Sequence, residues 1–436
     1  MKVLIMTRGA WDDTNSTGNT MSNFWGDYEA DKIANIYCRA AKPNNKVCKK
    51  YYSISEKDIF NGIFKLNHQV GLAFDYDGFT STYQHDLTDI KNEERIYGFF
   101  RKNTSIIALW GQELLWAVGN WRNEKLNHFL DEFKPDIIFS SCFAPVYTHR
   151  LLWYIQQRTK AKVVLFHADD YLSVNNVGGS LLTRINQRLR SKVIKKSALR
   201  ADLNYCISPK QKNEYTTVLK KEMKLLYKGA DFNLKVKKLR DHKTKLFRIV
   251  YLGNTLYGRW ETLGMLAQSI YEINKKKPTF ELLIYSQYIP SDETMQTMVI
   301  EGASKFMGKV AAKDVPEILT DSDIVLHVES FEKTERLKTR LSFSTKIVDC
   351  LNSGNCVFAI GWEEAASIEY LKQNDAALVA HNQQDIIDTL DNIWNNPEII
   401  AEYADKAWEC GRKNHQIKKI RNKMADDFEN LISESI

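Results

Sequence analysis

Ser342, Ser344, Thr345 and Lys346 set three hydroxyls and a cation directly before a helical pattern. That chemistry suits a diphosphate: hydroxyls and the first amides of a helix donate to an anion, and the lysine adds a full positive charge. Ile347, Val348 and Leu351 recur at helical spacing and predict one buried face, with Asp349 on the same short helix. Gly354 fits the helix C-cap, and Val357 to Gly361 reads as a central parallel strand. An ordinary helix-to-strand junction accounts for the glycine and the apolar spacing. It does not account for Ser344-Thr345-Lys346.

Three more groups stand at the ends of strand-like runs. His167, Asp169 and Asp170 follow Lys162 to Phe166 in His-Ala-Asp-Asp-Tyr, a place where a histidine or aspartate can accept a proton or orient a hydroxyl. The same three can equally serve as a structural hydrogen-bonder and helix caps. Asn254 and Arg259 follow Phe247 to Gly253, and a cation at a helix start is disfavoured unless an anion sits there. Glu329 closes the apolar run Asp323 to Val328, ahead of Glu332 and Glu335. The loop from Gly9 to Phe24 holds Gly18, Asn19 and Thr20; Gly18 permits close backbone approach, and Asn19 or Ser22 is expected to cap the next helix. That loop is neither a GxGxxG fingerprint nor a Walker loop, which disfavours a Rossmann dinucleotide site.

Strand-like runs over 2–7, 135–142, 162–167, 203–208, 247–253, 280–285, 323–328, 357–360 and 377–380 alternate with helical patterns. Such alternation predicts right-handed crossovers and parallel sheets, which bind ligands beyond the carboxyl ends of their strands. A charged stretch without apolar periodicity, 235–245, is the linker expected between a first domain, 1–234, and a second, 246–412. Residues 413–436 read as a terminal helix.

The chain has 436 residues, enough for two ordinary domains, with 44% hydrophobic and 26% charged residues and no low-complexity tract. The start, Met1 to Arg8, runs straight into a strand pattern and not a signal peptide, and the most apolar stretch, Ser105 to Gly119, is too short to span a bilayer. A cytoplasmic protein is expected. Seven cysteines without metal-ligand spacing read as reduced core thiols, so neither a metal nor a disulfide is expected. The net charge of +7 is modest for a nucleic-acid binder, and none is expected as a partner. Much of the basic charge falls in Leu181 to Arg200, which carries Arg184, Arg188, Arg190, Lys192, Lys195, Lys196 and Arg200 and no acid. Leu182, Ile185, Leu189 and Val193 predict its buried face, and the basic face can meet an anionic membrane. Phe99 to Lys102 and Trp110, Trp116 and Trp121 are further candidates for that surface.

The block Phe343-Ser-Thr-Lys-Ile-Val-Asp-Cys-Leu-Asn-Ser-Gly354 resembles the donor segment of retaining GT-B glycosyltransferases, of the family 4 type found in bacterial surface-polysaccharide synthesis. The resemblance implies two facing doubly wound Rossmann-like domains with a C-terminal cross-over helix, the first binding acceptor and the second a nucleotide diphosphate sugar. It places Arg259, Lys346, Ser344 and Thr345 on the donor diphosphate as a clamp that replaces a metal. It puts Asp349 on the ribose, Glu329 and Asn254 on the ribose and sugar side, and Gly18, Asn19 and Thr20 beside the acceptor. His167, Asp169 and Asp170 would be catalytic, near the acceptor hydroxyl. The family commonly carries a second carboxylate eight positions before the later one; here that position is Leu341, and Glu329 is the expected replacement. The implied acceptor is a glycan or lipid-linked glycan, the implied location the inner face of the cell membrane. Two rival readings are a nucleotide-sugar epimerase of the same fold and a catalytically silent nucleotide- or glycan-binding relative.

Overall fold

The structure, a computed structural model, describes residues 1–65, 68–76, 106–173, 180–233 and 246–433. The proposed linker 235–245 and the Phe99 to Lys102 stretch lie outside the described residues. The chain divides into two compact units: 1–207 with 212–226 and 420–436, and 208–211 with 227–419.

The first unit is built on eight strands: β1 Val3–Thr7, β2 Ile33–Tyr37, β3 Lys50–Ser53, β4 Leu72–Asp75, β5 Ile137–Ser141, β6 Lys162–His167, β7 Leu203–Cys206 and β8 Lys224–Leu225. They lie in the order β4-β3-β2-β1-β5-β6-β7-β8, parallel except where β3 pairs antiparallel with β4. The second unit has six parallel strands: β9 Phe247–Leu252, β10 Phe280–Tyr285, β11 Ser304–Gly308, β12 Ile324–Val328, β13 Cys356–Ile360 and β14 Leu378–Ala380. Their order is β11-β10-β9-β12-β13-β14. Central strands such as β1, β5, β12 and β13 are buried on both faces, as parallel strands covered by helices must be. In each sheet the strand order reverses once, between β1 and β5 and between β9 and β12, and a crevice opens at such a reversal. The chain is thus α/β, with two units each built on a mainly parallel sheet.

The second unit starts earlier than the expected boundary. Tyr227 packs on His415, Ala230 N donates to His415 O and Ile417 N donates to Ala230 O around the Ala230–Gln416 bridge, tying 227–230 into it. In the helix Ile417–Ser433, residues from Ile420 onward belong to the first unit. Phe428 stacks on Trp25 at 5.8 Å, and the Asp427 carboxylate accepts from Tyr205 Oη and Lys224 Nζ, each at 2.6 Å.

One expectation is overturned. The helix Leu181–Arg200 buries Asn186, Ile194, Ser197 and Ala198, while Leu182, Ile185 and Leu189 face solvent. Periodicity identified an apolar stripe but not its direction: Ser197 and Asn186 face inward because they have partners there, Ser197 with His149 and Trp153, and Asn186 with Trp110. Of the three tryptophans expected near a basic surface, Trp116 and Trp121 are fully buried and only Trp110 is exposed.

Candidate functional site

The second unit's crevice is shaped by loops that leave β9, β12 and β13. In the loop after β9, Tyr257 and Gly258 both take left-handed φ, 58° and 71°. A side chain at Gly258 would also strike the Ser330 hydroxyl at 2.3 Å, so glycine alone lets this loop close on the one after β12. Gly361, just after β13, likewise has room for no Cβ beside Glu329. Arg259 opens the helix Arg259–Lys276 at this junction.

The Arg259 guanidinium is held from three sides. Nε donates to Val328 O at 3.0 Å, Nη1 to Asn254 Oδ1 at 3.0 Å, and Nη2 to both oxygens of Glu329 at 3.0 and 3.2 Å. Glu329 is buried, and burial pushes its carboxyl pKa up while Arg259 pulls it back down. Glu329 was expected to face a sugar. It faces Arg259 instead, because a carboxylate at 3% exposure needs a counterion. Asn254, itself exposed, gives its Oδ1 to Arg259. His327, on β12, lies 3.6 Å from Glu329, and burial with the charges of Arg259 and Lys346 lowers its pKa to about 3, so it is neutral.

Lys346 begins the helix Lys346–Asn352, is exposed, and makes no ion pair with a described carboxylate. Crowding by protein, then Arg259 and Lys228, lowers its pKa. Ser344 Oγ accepts from Lys346 N at 3.4 Å, and Thr345, at the N-cap position, makes no side-chain cap bond. Asp349, half-exposed, pairs with Lys228 at 3.3 Å, a cation that sequence reasoning passed over because it precedes the expected boundary. Phe343 pins this loop, edge-on to Tyr370 at 5.1 Å and stacked with His415 at 6.3 Å, which explains an aromatic between two serines. Leu341 is fully buried, and its carbonyl accepts from Ser208 Oγ at 3.3 Å. The second unit thus gathers Arg259, Lys346, Lys228, Glu329, Asp349 and the hydroxyls of Ser344 and Thr345, with cations in excess by one.

In the first unit the group at the end of β6 closes on itself. His167 is buried, its Nε2 lies 3.1 Å from Asn204 Oδ1, and burial lowers its pKa to about 4. Asp170 Oδ1 accepts from Tyr215 Oη at 2.9 Å, Ser173 N at 3.1 Å and Leu172 N at 3.2 Å, which makes it a loop brace. Both placements correct the expectation of groups open to an acceptor. Asp169 is exposed; crowding and the Asp170 charge raise its pKa against a hydrogen bond from Tyr171. The helix Ser16–Trp25 is capped by Asn15, whose Oδ1 accepts from Gly18 N at 2.9 Å, so neither Asn19 nor Ser22 is the cap. A Cβ on Gly18 would meet the Asp12 backbone at 2.0 Å; Asn19 is exposed and Thr20 buried.

Among the described residues no three His, Cys, Asp or Glu side chains cluster closely enough to hold a metal, and all seven cysteines are free thiols. No helix among them is long and apolar enough to cross a membrane.

Residues 267–426 match a family model described as glycosyl transferase-like. No curated protein matches the chain. Among solved structures it resembles HepE from Anabaena, crystallised with UDP, at 13% identity and TM-score 0.65 over 99% of this chain and 100% of that one. HepE is also known with UDP and glucose and with UDP-glucose. Sucrose-phosphate synthase from Thermosynechococcus elongatus matches at 11% identity and TM-score 0.64, over 100% of both chains. TarM matches at 11% and 0.62, over 98% of each. The fold is that of GT-B glycosyltransferases.

Proposed function

We propose that the protein is a glycosyltransferase that moves a hexose-type sugar from a nucleotide diphosphate donor, with UDP as the first candidate, to a hydroxyl of a glycan or lipid-linked glycan in surface polysaccharide synthesis. One observation carries this reading. Lys346, a cation that forms no ion pair with a described carboxylate, stands with Arg259 and Lys228 in the unit that holds the glycosyl transferase-like segment. The UDP-bound HepE structures lend the donor its class.

In this reading the diphosphate is the anion that the cation excess awaits. Lys346 carries the charge, Ser344 and Thr345 donate hydroxyls, and Arg259, its geometry locked by Glu329, offers its remaining Nη1 hydrogen. Glu329 acts through Arg259 as a positioning residue, and Asp349 takes the ribose by exchanging Lys228 for its hydroxyls. As the bond from the anomeric carbon to the diphosphate breaks, negative charge builds on the leaving oxygen, and preorganised cations stabilise it without a metal. The acceptor oxygen bonds to the anomeric carbon on the face the diphosphate leaves, its proton passing to a diphosphate oxygen, so the configuration is retained. Asp169, the exposed carboxylate after β6, orients the acceptor, with the turn at Gly18, Asn19 and Thr20 beside it. The protein acts at the inner face of the membrane, met by Arg184, Arg188, Lys192, Lys195 and Lys196.

Calorimetric titration with UDP and GDP, repeated in EDTA and with Lys346→Ala, tests the reading. Tight binding of one nucleotide, unmoved by EDTA and weakened by the variant, is expected. Binding that EDTA abolishes would overturn metal independence, and an unchanged Lys346→Ala affinity would overturn the clamp. Donor consumed without an acceptor would instead identify an epimerase.

A further inference from the structure

The helix Leu181–Arg200 shows solvent the side that should be core: Leu182 is 49% exposed, Ile185 38% and Leu189 52%. It is not alone. The helix Ile106–Val118 beside it exposes Ile107, Trp110 and Leu114, one stripe at helical spacing. Trp110 Nε1 donates to Asn186 Oδ1 at 3.1 Å, so the two helices touch at a residue of the second stripe whose polar group is already satisfied. A run of large apolar side chains over two adjacent helices is not the scattered exposure of an ordinary surface; it marks a docking face.

We propose that this face of the first unit inserts into the acyl boundary of an anionic bilayer, going beyond surface attraction by the basic residues. The inference rests on the membrane part of the preceding reading and is independent of the transfer chemistry. The charge pattern selects the occupant. Arg184, Arg188, Lys192, Lys195 and Lys196 are exposed along the same helix, which carries no acid. Glu113, the acid of the neighbouring helix, turns inward to Val146 N at 2.6 Å and to Arg150 at 3.4 Å. Apolar residues edged by lysine and arginine fit acyl chains below anionic headgroups, the arrangement of an interfacial helix. A second copy of this chain fits poorly, because a two-fold contact would set the basic helix against itself.

Vesicle flotation of the full chain tests the inference and needs no sugar donor, so its failure is separable from that of the transferase reading. Vesicles of equal parts phosphatidylglycerol and phosphatidylcholine are expected to carry the protein, and phosphatidylcholine alone to carry far less. Leu182→Ser with Ile185→Ser and Leu189→Ser should lower vesicle affinity about tenfold or more, even at salt that screens the charges. Circular dichroism should be unchanged, the three being exposed. Arg188→Gln with Lys192→Gln should weaken binding mainly at low salt. Brominated lipids should quench a fluorescence component that Trp110→Phe removes. No flotation of the native chain, undiminished flotation of the triple-serine variant, or a dimer in solution that this variant splits would each overturn the inference.

Discussion

The carboxyl edges of the two sheets hold similar residues used in opposite ways. In the first unit, His167 and Asp170 look like a catalytic cluster, yet Asn204 takes one and Tyr215 with two loop amides the other. In the second, Arg259 is paired by Glu329 and Asp349 by Lys228, and Lys346 remains over with its charge. Counting titratable residues at a strand end therefore says little. Counting donors, acceptors and charges that remain after the protein has used its own separates a brace from a binding site.

The sharpest way to break that contrast is Glu329→Ala. It strands a mostly buried guanidinium, and a loss of ~3–5 kcal/mol in urea unfolding of the second unit is expected; a loss near zero would mean Arg259 escapes to solvent and the lock is illusory. Next comes pH. The folded pKa of His167, about 4, lies below its ordinary 6.5, so the fold rejects the proton that the unfolded chain takes up. Its contribution is intact above pH 6.5 and disappears as pH falls toward 4, by about 3 kcal/mol at most. His167→Gln should flatten the acid limb of a stability-against-pH curve, while His149, His327, His415 and the paired carboxylates keep part of its slope. A variant that keeps its slope but loses turnover would return His167 to catalysis. Lys346→Ala should weaken UDP binding ~10–100-fold with little change in unfolding midpoint, as expected for one charge-assisted contact. The smallest effect is Asp349→Asn: a half-exposed pair with Lys228 is worth at most ~1 kcal/mol. A tenfold drop in nucleotide affinity at unchanged stability would give Asp349 the ribose.

Much of this architecture is legible in the chain. Nine strands were readable because they are short apolar runs with helical patterns between them, and the left-handed Gly354 fits its place after the helix Lys346–Asn352. β2 escaped because Asn35 interrupts a five-residue run, β3, β4 and β8 because they are only four, four and two residues long, and edge strand β11 because it is half exposed. Residue types alone told where cations and carboxylates lie along the chain, but not their pairing. Arg259 and Glu329 are seventy positions apart and meet only because β9 and β12 are neighbours. The basic helix failed differently: its apolar stripe was seen, but burial of Ser197 and Asn186 depends on distant partners, His149, Trp153 and Trp110, that no local pattern encodes.

The return of residues 420–433 to the first unit bears on how the chain is born. The first unit, made first, still waits for its missing piece when the second has been synthesised. Trp25 and Tyr205 emerge early but meet Phe428 and Asp427 only once those have left the ribosome. The amino-terminal unit, though made first, therefore completes its packing only with the last of these residues.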